Sequence, residues 1–262
     1  MSLDVLRARV AFRNRVFLDV MDLALRFLVV HRRLYLRVAT LTLLPCIGLT
    51  LAAQWVGGWV AGWIAALALS LVAEVPFTAL ASRLVFQDVV SVRSVMRASL
   101  RELPRIFVMR VMWTVLVAVT TAMFFIPGLW VAALFLFSSE VMILERSRVL
   151  PAFVRSQRVA TGALGEAFAG VAMTLFVPVA AVLLADVGGR AFIGELLQFR
   201  APAPLWNEGG SVLAVLGLFG IVPYVTTARF FTYLNMRTRA EGWDIQTRFA
   251  AIAARVESAE AS

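Results

Sequence analysis

Residues 38–73 contain no charged side chain. A single helix of that length would reach about 54 Å at 1.5 Å per residue, far beyond the roughly 30 Å hydrocarbon core of a bilayer. The run must therefore turn, and QWVGGW at residues 54–59 offers the place, because Gly57 and Gly58 free the backbone. This predicts one membrane span over Leu34–Trp55 and a second over Trp59–Ser82. Trp55, Trp59 and Trp63 suit the aromatic belt of a membrane surface. The uncharged run 111–139 divides in the same way at Pro127-Gly128, giving a third span over Ile106–Phe125 and a fourth over Leu129–Leu144. A fifth is expected over Ala167–Ala185 and a sixth over Ser211–Leu234.

Composition supports an all-α, polytopic membrane protein of six transmembrane helices with amphipathic interfacial helices. The chain is 61% hydrophobic with mean hydropathy +0.86, above the roughly 45–50% apolar content of soluble domains. Its net charge of +9 does not indicate nucleic acid, since the basic residues are all Arg and stand in clusters between the uncharged runs. Up to Arg37 there are eight, residues 83–110 carry six, residues 146–165 four and residues 229–262 five. Only Arg190 and Arg200 fall in the connection between spans five and six. Because Arg is retained on the cytoplasmic side, both termini are expected there, in a bacterial inner membrane. The N-terminal segment lacks the compact apolar core of a cleaved signal peptide.

Three parts follow: an amphipathic cytoplasmic segment 1–33, a membrane domain 34–234 and an amphipathic cytoplasmic tail 235–262. In the first, Val16, Phe17, Val20, Leu23, Ala24, Phe27 and Leu28 are expected to form a lipid-facing stripe. The loops 91–106 and 152–164 read as short helices with a basic side, and residues 190–210 as an outer interfacial helix followed by a Pro-rich loop.

A single Cys46 and a single His31 exclude an internal disulfide, a Cys/His zinc cluster and most His-dependent catalysis. Hydrolase, metalloprotease and nucleotide-binding motifs are missing from suitable contexts, and Ser139 and Ser156 have no His or Lys beside them in sequence to act as base. Neither enzymatic activity nor a cofactor is expected.

Four ionisable residues lie inside or at the edge of spans: Glu74, Arg110, Glu140 and Arg229. With the expected directions of travel they share the inner half of the membrane, where a charge costs roughly 2.5–3.5 kcal/mol and needs a partner or water. Two readings stand. They form ion pairs between helices, Glu74 with Arg110 or Arg229, while Glu140 reaches towards the interface. Alternatively they line a cytoplasm-facing cavity in which Glu74 binds a cation, a proton or a headgroup amine, as in a small transporter or channel. Pro45, Pro76, Pro178 and Pro223 would break hydrogen bonding in four spans, which either neighbouring groups repair or a transporter exploits.

AFVRSQRVATG at 152–162 and YLNMRTRAEGWDIQ at 233–246 together resemble segments of the bacterial six-helix membrane domain. That domain is found fused to some glycerophosphodiester phosphodiesterases and also alone. Tyr233, Arg237, Arg239, Glu241, Gly242 and Asp244 match its terminal signature, while Asn235 stands where an acidic residue is common. The resemblance covers the membrane domain and not the soluble phosphodiesterase domain, so no phosphodiesterase activity is expected from it. Read physically, Arg237 and Glu241 share a helix face, Gly242 ends the helix and Asp244 caps an amphipathic tail as the chain leaves the bilayer. The expected role is a non-catalytic membrane module that binds membrane lipids, anionic headgroups included, or a membrane or cytoplasmic protein partner.

Overall fold

The computed structural model describes residues 16–87, 89–145 and 147–241. Every regular element among these residues is helical. In chain order they are α1 (Phe17–Val30), α2 (Arg32–Phe86), α3 (Val92–Met123), α4 (Phe125–Phe135), α5 (Ser138–Glu145), α6 (Val149–Thr161), α7 (Leu164–Ala191), α8 (Leu205–Glu208) and α9 (Val212–Glu241). A π-helical turn, Phe192–Leu196, prolongs α7. Five helical stretches are long and apolar enough to cross a membrane: Arg32–Phe86, Val92–Met123, Phe125–Glu145, Leu164–Leu196 and Val212–Ala240.

The first of these is doubled. Its 55 residues are interrupted where predicted, at Gly57 (φ −124°, ψ 15°) and Gly58 (φ 70°, ψ −174°). The positive φ of Gly58 is accessible to glycine at little cost and strained for residues with a Cβ. The chain then folds back on itself. Tyr35 and Phe77 would lie about 63 Å apart in a straight helix, yet their rings stack with centroids 6.2 Å apart. Apolar side chains such as Leu36, Leu41, Leu44 and Leu49 on the first limb, and Val111, Val115 and Val119 on α3, point outwards. Such outward apolar faces suit lipid rather than water.

Helix α9 is the centre of the bundle. It packs against α1, α2, α6 and α7, and every residue from Val225 to Thr238 is buried. A helix buried on all sides belongs in a core. It approaches α7 closely: a Cβ added to Gly217 would stand 2.5 Å from the Ala181 carbonyl oxygen and 2.6 Å from Ala185 Cβ. Small residues bring the two backbones together, the usual route to helix association where lipid supplies no hydrophobic drive.

Several expected boundaries are corrected. The basic segment 91–106 is no separate helix but the first turns of α3, started by the Ser91 hydroxyl, which accepts from the Ser94 backbone N–H at 3.3 Å. The outer interfacial helix is likewise the continuation of α7 through its π-helical turn, although the Pro-rich loop after it is as expected. Most of the stripe assigned to lipid faces protein instead, although Val16, just before α1, is exposed. Val20, Ala24 and Phe27 are buried against the bundle, and the Phe27 ring meets Phe231 of α9 edge-on at 5.0 Å. Helix α9 passes the expected boundary at Leu234 and continues through Glu241. Gly242 and Asp244, expected to end that helix and cap the next, lie outside the described residues, as does most of the tail.

Replacing Gly217 with Val should force α7 and α9 apart and lower stability by about 1–3 kcal/mol. Thermal unfolding of the purified protein in detergent reads the effect; a midpoint unchanged from wild type would contradict this packing.

Candidate functional site

The four ionisable residues singled out from sequence come together as one buried network. Glu74 lies on the second limb of α2, Arg110 on α3, Glu140 on α5 and Arg229 on α9. Arg229 Nε donates to Glu140 Oε1 at 2.5 Å, and its Nη2 donates to Glu74 Oε2 at 2.6 Å. Arg110 Nη1 lies 2.7 Å from the same Glu74 oxygen and donates to the Leu71 carbonyl at 2.9 Å. Arg110 Nη2 donates to Ser139 Oγ at 3.4 Å, and the Ser139 hydroxyl donates to Glu140 Oε2 at 2.8 Å, closing the ring. Two carboxylates face two guanidiniums. The network carries no formal net charge.

Its burial decides what it does. Glu140 is 0% exposed, Arg110 and Arg229 5% each, and the Glu74 side chain 13%. Desolvating such groups costs several kcal/mol per ion, recovered only when geometry is good and the remaining donors and acceptors are satisfied. Here Glu74 bridges two arginines, and Arg229 bridges two carboxylates. The expectation that Glu140 reaches towards the interface is corrected: it is fully buried, and its partner is Arg229. Within the membrane stretches, the network ties α2, α3, α5 and α9 at a common level.

A second set of carboxylates, unmarked in the sequence reading, binds the terminal signature. Glu145, at the end of α5, accepts from the Tyr233 hydroxyl at 3.1 Å. The same oxygen pairs with Arg237 at 3.2 Å and with Arg155 of α6 at 3.4 Å. Glu166, in the first turn of α7, pairs with Arg239 and accepts from Asn235 Nδ2 at 3.1 Å. The segments 152–162 and 233–246 thus meet through Glu145. The described part of the signature docks onto α5, α6 and α7 rather than simply marking a helix exit; the side chain of Glu241 lies outside the description. The one signal available in sequence was that Glu145 and Glu166 are carboxylates beside span ends otherwise rich in Arg.

The other end of the bundle has its own lock. Asp186, fully buried near the end of α7, accepts from the Ser211 hydroxyl and, at 3.3 Å, from the Leu205 backbone N–H. Ser211 Oγ in turn accepts from the Ala214 N–H at the start of α9 at 3.1 Å. Trp59 and Trp63, expected in the aromatic belt, donate to Glu208 Oε2 at 3.3 Å and to the Gly209 carbonyl at 2.8 Å. Trp55 is 90% exposed, in keeping with that belt.

Among the described residues no group of His, Cys, Asp and Glu is placed to hold a metal ion. The hydroxyls of Ser139 and Ser156 are engaged, the latter by the Leu134 carbonyl at 2.9 Å. No family model matches the chain, and no curated protein or solved structure matches it significantly.

The network yields a double-mutant prediction. Arg229→Gln leaves Glu140 buried without its cation and should destabilise by roughly 3–5 kcal/mol; Glu140→Gln should also destabilise. The double substitution should lose clearly less than the sum of the two. Unfolding of the purified variants in mixed micelles reads the coupling; strictly additive losses would show that the two groups do not interact.

Proposed function

We propose that this chain crosses a bacterial cytoplasmic membrane six times, with both termini inside, and acts as a non-catalytic module that binds lipid or a partner protein at the inner leaflet. The observation that carries this reading is the separation of charge between the two ends of the bundle. One end joins α3, α5, α6, α7 and α9 through Arg105 with the Ser147 carbonyl, Arg155 and Arg237 with Glu145, and Arg239 with Glu166. It also carries the arginine-rich starts of α2 and α3. The opposite end, with Gly58, Asp186 and Glu208, has few arginines. Such asymmetry orients membrane proteins with the arginine end in the cytoplasm, and the doubling of α2 at Gly58 turns five long helices into six crossings.

The buried network supports a structural role for the intramembrane charges. Glu74 already holds two guanidiniums, so a transport mechanism would first have to strip both away. The segments 152–162 and 233–246, which carry the resemblance to the six-helix domain, meet at Glu145. The engaged hydroxyls of Ser139 and Ser156 support a non-catalytic role.

Two experiments test this. In a Cys46→Ser background, a cysteine at exposed Gln157 on α6 should react with impermeant maleimide only from the cytoplasmic side, and one at exposed Asn207 only from the outside. Labelling of Asn207→Cys from the cytoplasm would overturn the topology. In proteoliposomes, Glu74→Gln should weaken stability without altering the permeability of the vesicles to ions. An ion flux carried by the wild type and abolished in the folded variant would replace the module with a transporter.

A further inference from the structure

Along the first turns of α3, Val92, Met96 and Leu100 form one row at intervals of four, and Arg93, Arg97 and Arg101 form the adjacent row. Residues four apart stand about 6 Å apart along a helix and on nearly the same face. Together with Leu41 of the first limb of α2, the two rows line an open groove. Leu41 is 56% and Leu100 64% exposed, while Val92 and Met96 close the floor against the core.

The charge of this groove is unbalanced. Among the described residues no carboxylate lines it, and none of the three arginines has an acidic partner. Glu102, next in sequence, is bound by Arg105 at 3.2 Å, and Arg83 donates to Ser94 at 2.7 Å. The remaining arginines on nearby elements, such as Arg37, add to the same sign. What fits must therefore be anionic at the Arg93–Arg97–Arg101 edge and apolar along Leu41, Met96 and Leu100. A free phosphate or a nucleic acid answers only the first demand. The lipid that surrounds the limb carrying Leu41 answers both.

We propose that this groove is a binding site for an anionic glycerophospholipid, whose phosphate is held by Arg93, Arg97 and Arg101 and whose acyl chain lies along Leu41, Met96 and Leu100. The proposal rests on the lipid-binding form of the function proposed above and gives it an address. Guanidinium matches phosphate oxygens with paired hydrogen bonds, so arginine suits the task better than lysine.

The test uses the full chain, reconstituted in nanodiscs of mixed phosphatidylglycerol and phosphatidylcholine and released for native mass spectrometry. Wild type should retain phosphatidylglycerol in preference to phosphatidylcholine. Each arginine neutralised should weaken that retention roughly fivefold, so R93Q/R97Q/R101Q should lose it while R32Q/R33Q, outside the groove, should keep it. Leu41→Trp, which leaves every charge in place and fills the trough, should also reduce retention, and it keeps the proposal open to refutation if the triple variant does not fold. Millimolar inorganic phosphate should not displace the lipid; displacement would assign the arginines to a free phosphate instead. Equal losses in the two arginine variants, or retention unchanged in the triple variant or in Leu41→Trp, would overturn the groove while leaving lipid binding intact. A wild type without headgroup preference would overturn both.

Discussion

A charge held within apolar helices has no bulk water to turn to, and the rest of this structure is arranged around that constraint. Glu74, Arg110, Glu140 and Arg229 come from helices far apart in sequence, yet each supplies what another lacks. Between helices surrounded by lipid tails, apolar side chains gain little by leaving lipid for protein, so association relies on close packing and on polar contacts. The network provides the polar part and Gly217 against Ala181 the close packing. A guanidinium–carboxylate pair also has a directional hydrogen-bond geometry that an apolar surface lacks. It helps fix the level at which α9 sits against α2, α3 and α5.

The two ends of the bundle extend the same logic to different surroundings. Near the arginine-rich end the pairs are partly exposed, as with Arg155 and Glu145 at 30% and 24% side-chain exposure, and each contributes less than a buried pair would. Their value lies in number and connection, because Glu145 joins α5, α6 and α9 at one oxygen. At the other end Asp186 gathers a hydroxyl and a backbone N–H, and two indoles pin the loop before α9. Polar contacts thus close the described bundle at both of its ends.

Much of this was legible in the sequence because the bilayer imposes coarse rules. The uncharged run 38–73 demanded a turn, and Gly57-Gly58 makes it. That four charges should lie near one another follows from the expected helix directions, and they do meet. Partner choice did not follow: span counting gives depth but not azimuth, so Glu140 was directed to the interface although α5 turns it towards Arg229. Periodicity gave the stripe of α1 but not what covers it, since Val20, Ala24 and Phe27 would suit a lipid surface as well as α9. Hydropathy begins the third span at Ile106, whereas the helix already starts at Val92 and runs to Met123 without regard to polarity. Glu145, Glu166 and Asp186 went unmarked because a carboxylate near a span end is unremarkable until the fold supplies its partner.

The most direct measurement is solid-state NMR of the protein in lipid bilayers, with nitrogen-15 in arginine and carbon-13 at the glutamate carboxyl. The Arg229 guanidinium should show dipolar contacts with two carboxyl carbons, one lost in Glu74→Gln and the other in Glu140→Gln. A guanidinium in contact with water and with neither carboxyl would contradict the account.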